Sequence, residues 1–112
     1  MKYMLLIYGN QATWDALSEQ GIDRVMATHY ALIDELTASG ELIEHSGLTV
    51  EAAQVVRVKD GVPVVTDGPF TEAKEVLAGY YLVDCDGPER AAQLAARLPE
   101  AAHSPIEIRL IP

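Results

Sequence analysis

Apolar residues alternate in some segments of the chain and recur every three or four positions in others. Lys2 to Tyr8 is apolar on both alternating sets of side chains, which is typical of a strand covered on both faces. Leu77 to Val83 repeats this two-faced pattern. Ile106, Ile108 and Leu110 alternate with polar residues. The pattern predicts two strands that need cover on both faces, and a last strand with one apolar face.

Two segments have helical spacing. The first runs from about Thr13 to Ser39, with an expected break near Gly21, and Gly40 is well placed to end it. The second opens at Asp86-Gly87-Pro88-Glu89 and ends at Pro99. The apolar stripe of the first helix is Ile22, Val25, Met26, His29, Ile33 and Leu36, and that of the second is Ala91, Leu94, Ala95 and Leu98.

A short strand and a hairpin fill the middle of the chain. Glu41 to Leu48 predicts the strand. Gln54 to Val58 and Val62 to Thr66 flank Asp60-Gly61, a strong signal for a type I′ turn, and Pro63 puts its strand at an edge.

The element order is strand, helix, strand, hairpin, strand, helix, strand. It predicts an α+β fold of the ferredoxin-like (split βαβ) type with an inserted β-hairpin. Two helices cover only one face of such a sheet, yet two strands are apolar on both faces. We therefore expect a homodimer in which a second copy covers the other face.

Length and charge narrow the function. The chain has 112 residues, enough for a single domain over residues 1–112, and its net charge is −9. Such a surface repels phosphate backbones and anionic lipid, so we expect no nucleic-acid or membrane partner. The apolar run at the amino terminus is short for a signal peptide, and the one cysteine, Cys85, cannot form an internal disulfide. We expect a cytoplasmic protein.

His29 is the most informative candidate for chemistry, because an imidazole in the middle of an apolar stripe needs a polar partner. It is either a core histidine satisfied by a carbonyl or carboxylate, a histidine at the solvated edge of the stripe, or a general acid or base in a cleft between helix and sheet.

Asp67 has two interpretations as well. It begins Asp67-Gly68-Pro69-Phe70, which has the composition of a turn, and Phe70 is expected to anchor that turn in the core. Alternatively, Asp67 is the carboxylate that orients His29.

The remaining candidates are weaker. His45 is expected to be solvated, and His103 lies in the loop before the last strand. The histidine spacings match no metal signature, and no phosphate loop or dinucleotide fingerprint is present, so we expect neither a metal nor a cofactor. Tyr8 and Tyr80 could donate hydrogen bonds to a substrate oxygen, although tyrosines in strands are more often core or interface residues.

The tract from Thr66 to Leu82, TDGPFTEAKEVLAGYYL, resembles the DGPF branch of the YCII-related proteins. The opening MKYMLLIY, Gly40-Glu41-Leu42 and Gly47-Leu48 look like the same branch, so the resemblance covers essentially the whole chain. It implies a dimeric ferredoxin-like α/β-barrel fold.

The resemblance also implies a function. In the wider family a helix His and an Asp form a proposed active-site dyad, and that His corresponds to His29. One relative is a dehydrochlorinase acting on a chlorinated hydroxyhydroquinone, and the fold relates the family to muconolactone isomerase. We therefore expect a cofactor-independent lyase or isomerase for a small molecule, with His29 and Asp67 catalytic and Tyr8, Phe70 and Tyr80 binding substrate. The alternative is a non-catalytic ligand-binding or regulatory module associated with a sigma factor, because some members are encoded beside or fused to one.

Overall fold

Six strands, three α-helices and one 3₁₀ helix make up the computed structural model, which describes residues 1–70 and 75–112. The strands are β1 (Lys2–Gly9), β2 (Leu42–Gly47), β3 (Gln54–Lys59), β4 (Val62–Asp67), β5 (Val76–Asp84) and β6 (Ile106–Ile111). The helices are α1 (Gln11–Asp15), α2 (Glu19–Ser39) and α3 (Pro88–Ala96), with the 3₁₀ helix at Pro99–Ala102.

The two strands with two-faced apolar patterns lie side by side at the centre of the main sheet. This sheet has the order β2-β5-β1-β6, and each neighbouring pair is antiparallel. β3 and β4 form a separate two-stranded antiparallel sheet. The predicted α+β class is confirmed.

Alternation along β1 and β5 divides the main sheet into two unlike faces. On one face Tyr3, Leu5 and Ile7 are buried, together with the side chains that α2 and α3 pack against them. On the other face Met4, Leu6 and Leu82 remain half-buried. The helical side of the core consists of Leu32, Leu36, Ala91, Leu94, Ala95 and Leu98.

The helix boundaries follow local capping. The first helical stretch breaks at residues 16–18 rather than near Gly21, because the Ser18 hydroxyl accepts a hydrogen bond from the Gly21 amide (3.0 Å) and starts α2 there. Gly40 ends α2 with φ of 80°, as predicted. α3 ends at Ala96, and Pro99 begins the 3₁₀ helix instead of ending α3. None of the helices among the described residues is long and apolar enough to cross a membrane.

The hairpin of β3 and β4 corrects one prediction. Its turn residues Asp60 and Gly61 both have positive φ (52° and 75°), as a type I′ turn requires. Phe70, however, is 76 % exposed, so its predicted place in the core is wrong. The hairpin forms its own small sheet away from the core, and the Phe70 ring instead lies 5.7 Å from the Arg57 guanidinium.

Candidate functional site

His29 lies on α2 with both ring nitrogens hydrogen-bonded. Its Nδ1 is 2.7 Å from the Tyr81 hydroxyl on β5. Its Nε2 faces both carboxylate oxygens of Glu100 in the 3₁₀ helix, at 2.9 Å from Oε2 and closer still to Oε1. The His29 side chain is 15 % exposed and that of Glu100 is 24 % exposed. A helix, a strand and a 3₁₀ turn thus meet in a Tyr81–His29–Glu100 relay.

The partners of His29 assign its tautomer. An ionised carboxylate only accepts hydrogen bonds, so Nε2 carries the proton that points at Glu100. In the neutral ring Nδ1 is then an acceptor, and the Tyr81 hydroxyl donates to it. The relay is set to accept a proton at Nδ1, with Glu100 placed to stabilise the resulting imidazolium.

Tyr81 is the most buried member of the relay. It is 3 % exposed, and burial, together with the negative charge of Glu100, raises the pKa of its hydroxyl to about 12. The phenol therefore stays protonated at neutral pH and can act as a hydrogen-bond donor or proton donor.

A cavity of about 1010 Å³ opens beside the relay. All three relay residues line it, and its walls come from β1, α1, α2, β2, β5 and residues 99–104. Much of the lining is apolar, with Ile7, Trp14, Val25, Met26, Ile33, Leu48 and Val50 among its residues. Its size and its mixture of apolar walls and a few convergent polar groups are typical of a small-molecule site.

Comparison with known proteins places the chain in a family. The family profile described as "YCII-related domain" matches residues 1–112. The chain belongs to the YCII-related family. An uncharacterized protein of Rhizobium meliloti (strain 1021) is 34 % identical over 102 residues, which is 90 % of this chain and 82 % of that protein.

The predicted dyad of this YCII-related protein is not formed within the chain. Asp67 is exposed at the end of β4, opposite Gln54 in the hairpin register, and does not line the cavity. Both nitrogens of His29 are bonded to Tyr81 and Glu100 instead. The carboxylate next to His29 therefore comes from the 3₁₀ helix, because the hairpin carries Asp67 away from the main sheet.

The three residues predicted to bind substrate lie in different places. Tyr8 lines the cavity, and its hydroxyl donates to Glu107 at 3.1 Å, which raises its pKa. Tyr80 does not line the cavity, since it alternates with Tyr81 and donates to Glu44 at 2.9 Å. Phe70 is also absent from the cavity wall. Neither Tyr80 nor Phe70 is placed to contact a ligand bound beside His29 in this chain.

Sequence reasoning missed Glu100 and Tyr81 as partners of His29. Tyr81 carried a usable signal, because it alternates with Val83 on a two-faced strand and so faces the helices. Glu100 had little signal in the sequence, because a carboxylate directly after Pro99 is typical of an ordinary solvated helix end.

In the part of the chain that the structure describes, side chains that could bind a metal ion are not clustered. No group of three or more His, Cys, Asp or Glu side chains in residues 1–70 and 75–112 could hold a metal ion.

Proposed function

We propose that this YCII-related protein is a cofactor-independent enzyme of the lyase or isomerase type that moves a proton on a small organic substrate. The observation that carries the proposal is the Tyr81–His29–Glu100 relay at the wall of a largely apolar cavity. Glu100 takes the orienting role that the family resemblance implied for Asp67.

The relay supports a balanced proton transfer. As the Tyr81 oxygen takes a proton from a substrate carbon, the hydroxyl proton of Tyr81 passes to Nδ1 of His29 over 2.7 Å. The substrate becomes an anion and the imidazole becomes an imidazolium paired with Glu100. Return of this proton to a different carbon completes an isomerisation. Alternatively, loss of an anionic leaving group from the substrate anion completes an elimination, and the imidazolium then releases its proton to water.

The test is proton exchange in D₂O, followed by NMR, with a muconolactone and a chlorinated hydroxyhydroquinone as the two compounds. We expect deuterium incorporation or product formation with at least one. His29→Gln and Tyr81→Phe should each lower the rate roughly 10²-fold or more. Glu100→Gln should give a smaller loss, because it removes the orienting charge and keeps the shape.

The double variant His29→Gln/Glu100→Gln should be little slower than His29→Gln alone, because residues that act as a unit are not additive. Tyr80→Phe is the matched control, since it removes a hydroxyl from the neighbouring residue outside the cavity. A circular dichroism spectrum that matches that of the wild type shows that each variant is folded. The relay would be contradicted if the wild type is active and the rate losses of His29→Gln and Glu100→Gln add fully in the double variant. It would also be contradicted if Tyr80→Phe lowers the rate as much as Tyr81→Phe.

A non-catalytic ligand-binding or regulatory module is the second candidate. It is favoured by one observation: both nitrogens of His29 are already satisfied within the chain, as in a structural histidine. In that case His29→Gln should destabilise the fold by roughly 1–3 kcal/mol and leave ligand binding largely unchanged. The association with a sigma factor stays a prediction of this candidate.

We also propose the finer fold assignment, a ferredoxin-like dimeric α/β barrel of the DGPF branch. Two features support the ferredoxin-like part: the strand order β2-β5-β1-β6, and two split βαβ units. In these units α2 connects β1 to β2 and α3 connects β5 to β6. The tract Asp67-Gly68-Pro69-Phe70 supports the branch. The half-buried apolar face of the main sheet supports the homodimer.

A further inference from the structure

Charge is distributed unevenly between the cavity and the rest of the molecule. All three histidines of the chain line the cavity. Of the 17 acidic residues in the sequence, Glu100 is the one that lines it among the described residues, and no lysine or arginine of residues 1–70 and 75–112 does so. An acidic protein thus has a cavity that is poor in carboxylates and rich in imidazoles.

This distribution favours a negatively charged ligand. Elsewhere on the surface an anion meets the repulsion of a net charge of −9, whereas in the cavity the lining carboxylate, Glu100, is already paired with His29. Two further carboxylates are hydrogen-bonded to lining residues, Glu75 to Ser104 and Glu107 to Tyr8. Imidazoles donate hydrogen bonds when neutral and carry positive charge when protonated.

Two of the histidines flank the relay. His45 lies opposite Tyr81 in the pairing of β2 with β5, and the two ring centroids are 5.7 Å apart. His103 directly follows the 3₁₀ helix, and its backbone N–H donates to the Glu100 carbonyl at 2.9 Å. Both side chains are exposed, whereas that of His29 is committed to Tyr81 and Glu100. His45 and His103 are therefore the imidazoles within reach of a bound molecule.

We propose that the cavity binds an organic carboxylate, with the carboxylate group at His45 and His103 and the apolar body against Trp14, Val25 and Met26. The inference rests on the proposed function for the location of the site and deepens it by naming the substrate class. It assigns roles in recognition to two histidines that the acid–base relay does not use.

Three probes of one shape and different charge test the proposal: cyclohexanecarboxylate, cyclohexanecarboxamide and cyclohexylmethylammonium. Trp14 is the only tryptophan and lines the cavity, so its fluorescence reports occupancy, with ligand-observed NMR as the second measurement. All titrations are run at pH 6. We expect the carboxylate to bind roughly tenfold or more tightly than the amide, and the ammonium ion to bind least.

Variants assign the selectivity to residues. His45→Gln and His103→Gln keep a hydrogen-bond donor of similar size and remove the imidazole, so each should bring the carboxylate and amide affinities closer together. Tyr80→Phe, outside the cavity, should leave the ratio unchanged. Equal binding of carboxylate and amide, tighter binding of the ammonium ion, or no binding of any probe at millimolar concentration would overturn the proposal.

The same titration separates this inference from the proposed function. His29→Gln should lower turnover roughly 10²-fold or more if the relay is catalytic, and it should retain the preference for the carboxylate. A wild type that binds the carboxylate selectively but turns over no compound would contradict the proposed function alone. Turnover of a substrate with no preference for the carboxylate probe would contradict this inference alone.

Discussion

Glu41, the residue before β2, forms a bidentate ion pair with Arg90 on α3. Arg90 donates from Nε and from one terminal nitrogen to the two Glu41 oxygens, each at 2.9 Å. These hydrogen bonds, with a further one from Ser39, lower the pKa of Glu41 from 4.5 to about 2. Because the unfolded chain binds this proton more tightly, the pair contributes stability above about pH 4.5 that is lost as pH falls towards 2.

Arg90→Gln should remove that contribution and restore the Glu41 pKa towards its ordinary value. Because both side chains are partly exposed (34 % and 17 %), we expect a small loss of stability at pH 7 and a still smaller one near pH 2. Urea denaturation at the two pH values measures the difference. Arg24→Gln, which removes the same charge from an exposed position on α2, is the control. A loss for Arg90→Gln that is the same at both pH values would contradict the assignment.

Phe70→Ala is expected to cost less than about 1 kcal/mol, since the side chain is 76 % exposed and truncation leaves no cavity. The remaining contact, with the Arg57 guanidinium at 5.7 Å from the ring, is a surface cation–π interaction. Chemical denaturation at neutral pH measures the cost. A loss of 3 kcal/mol or more, about the size expected for a core phenylalanine, would show that a second molecule buries this ring in solution.

Segments with strong periodicity were predictable as elements. The two-faced strands became the adjacent β1 and β5, the Asp60-Gly61 turn has the predicted φ signs, and Gly40 ends α2. The wrong predictions concern helix boundaries, which are set by local hydrogen bonds and backbone geometry. The Ser18 cap, rather than Gly21, sets the start of α2, and Pro99 begins a 3₁₀ turn that periodicity cannot detect.

The candidate site divides in the same way. His29 could be found because it interrupts an apolar stripe. Its carboxylate partner could not, because 71 positions along the chain separate it from Glu100, and only the packing of the 3₁₀ helix brings the two together. Asp67 begins the tract that resembles the YCII-related proteins most strongly. It lies, however, in the hairpin that forms its own sheet, away from the main sheet.

Gly79 shows how closely β2 and β5 approach at the cavity wall. A Cβ built on Gly79 would lie 2.9 Å from the Ser46 carbonyl oxygen, too near for any real contact, whereas one on its partner Gly47 would be 3.9 Å from the nearest atom. Gly79→Ala should therefore destabilise the protein by roughly 1–3 kcal/mol through displacement of β2. Gly47→Ala is the matched control and should change stability by less than about 0.5 kcal/mol. Thermal and urea denaturation compare the two, and equal losses would contradict the argument.

At the scale of the whole molecule, the chain is more extended than its length requires. Its radius of gyration is 16.0 Å, against about 13 Å for a compact domain of this size, and its shortest dimension is 18 Å. The hairpin exposes Val56, Val58 and Val65, and a two-stranded hairpin is at best marginally stable alone in water. Two apolar surfaces on one chain, the hairpin and the open face of the main sheet, therefore need cover.

We propose that a second copy supplies that cover, because an isologous contact buries the same surface on both chains. Sedimentation equilibrium at low micromolar concentration should give about twice the 12.2 kDa mass of one chain. Leu82→Lys on the open sheet face and Val56→Lys on the hairpin identify which surface forms the interface, since a lysine buried there costs far more than one in water. Ala27→Lys, on the exposed side of α2, is the control and should leave the mass unchanged.

The variants distinguish three outcomes, provided that circular dichroism shows each to be folded. A monomer only with Leu82→Lys assigns the interface to the sheet face, as the dimeric barrel requires. A monomer only with Val56→Lys assigns it to the hairpin, which would replace the barrel with an arm exchange. A wild type that sediments as a monomer would contradict both arrangements, and the apolar face around Leu82 would then have to be stable in water, against the argument from its burial.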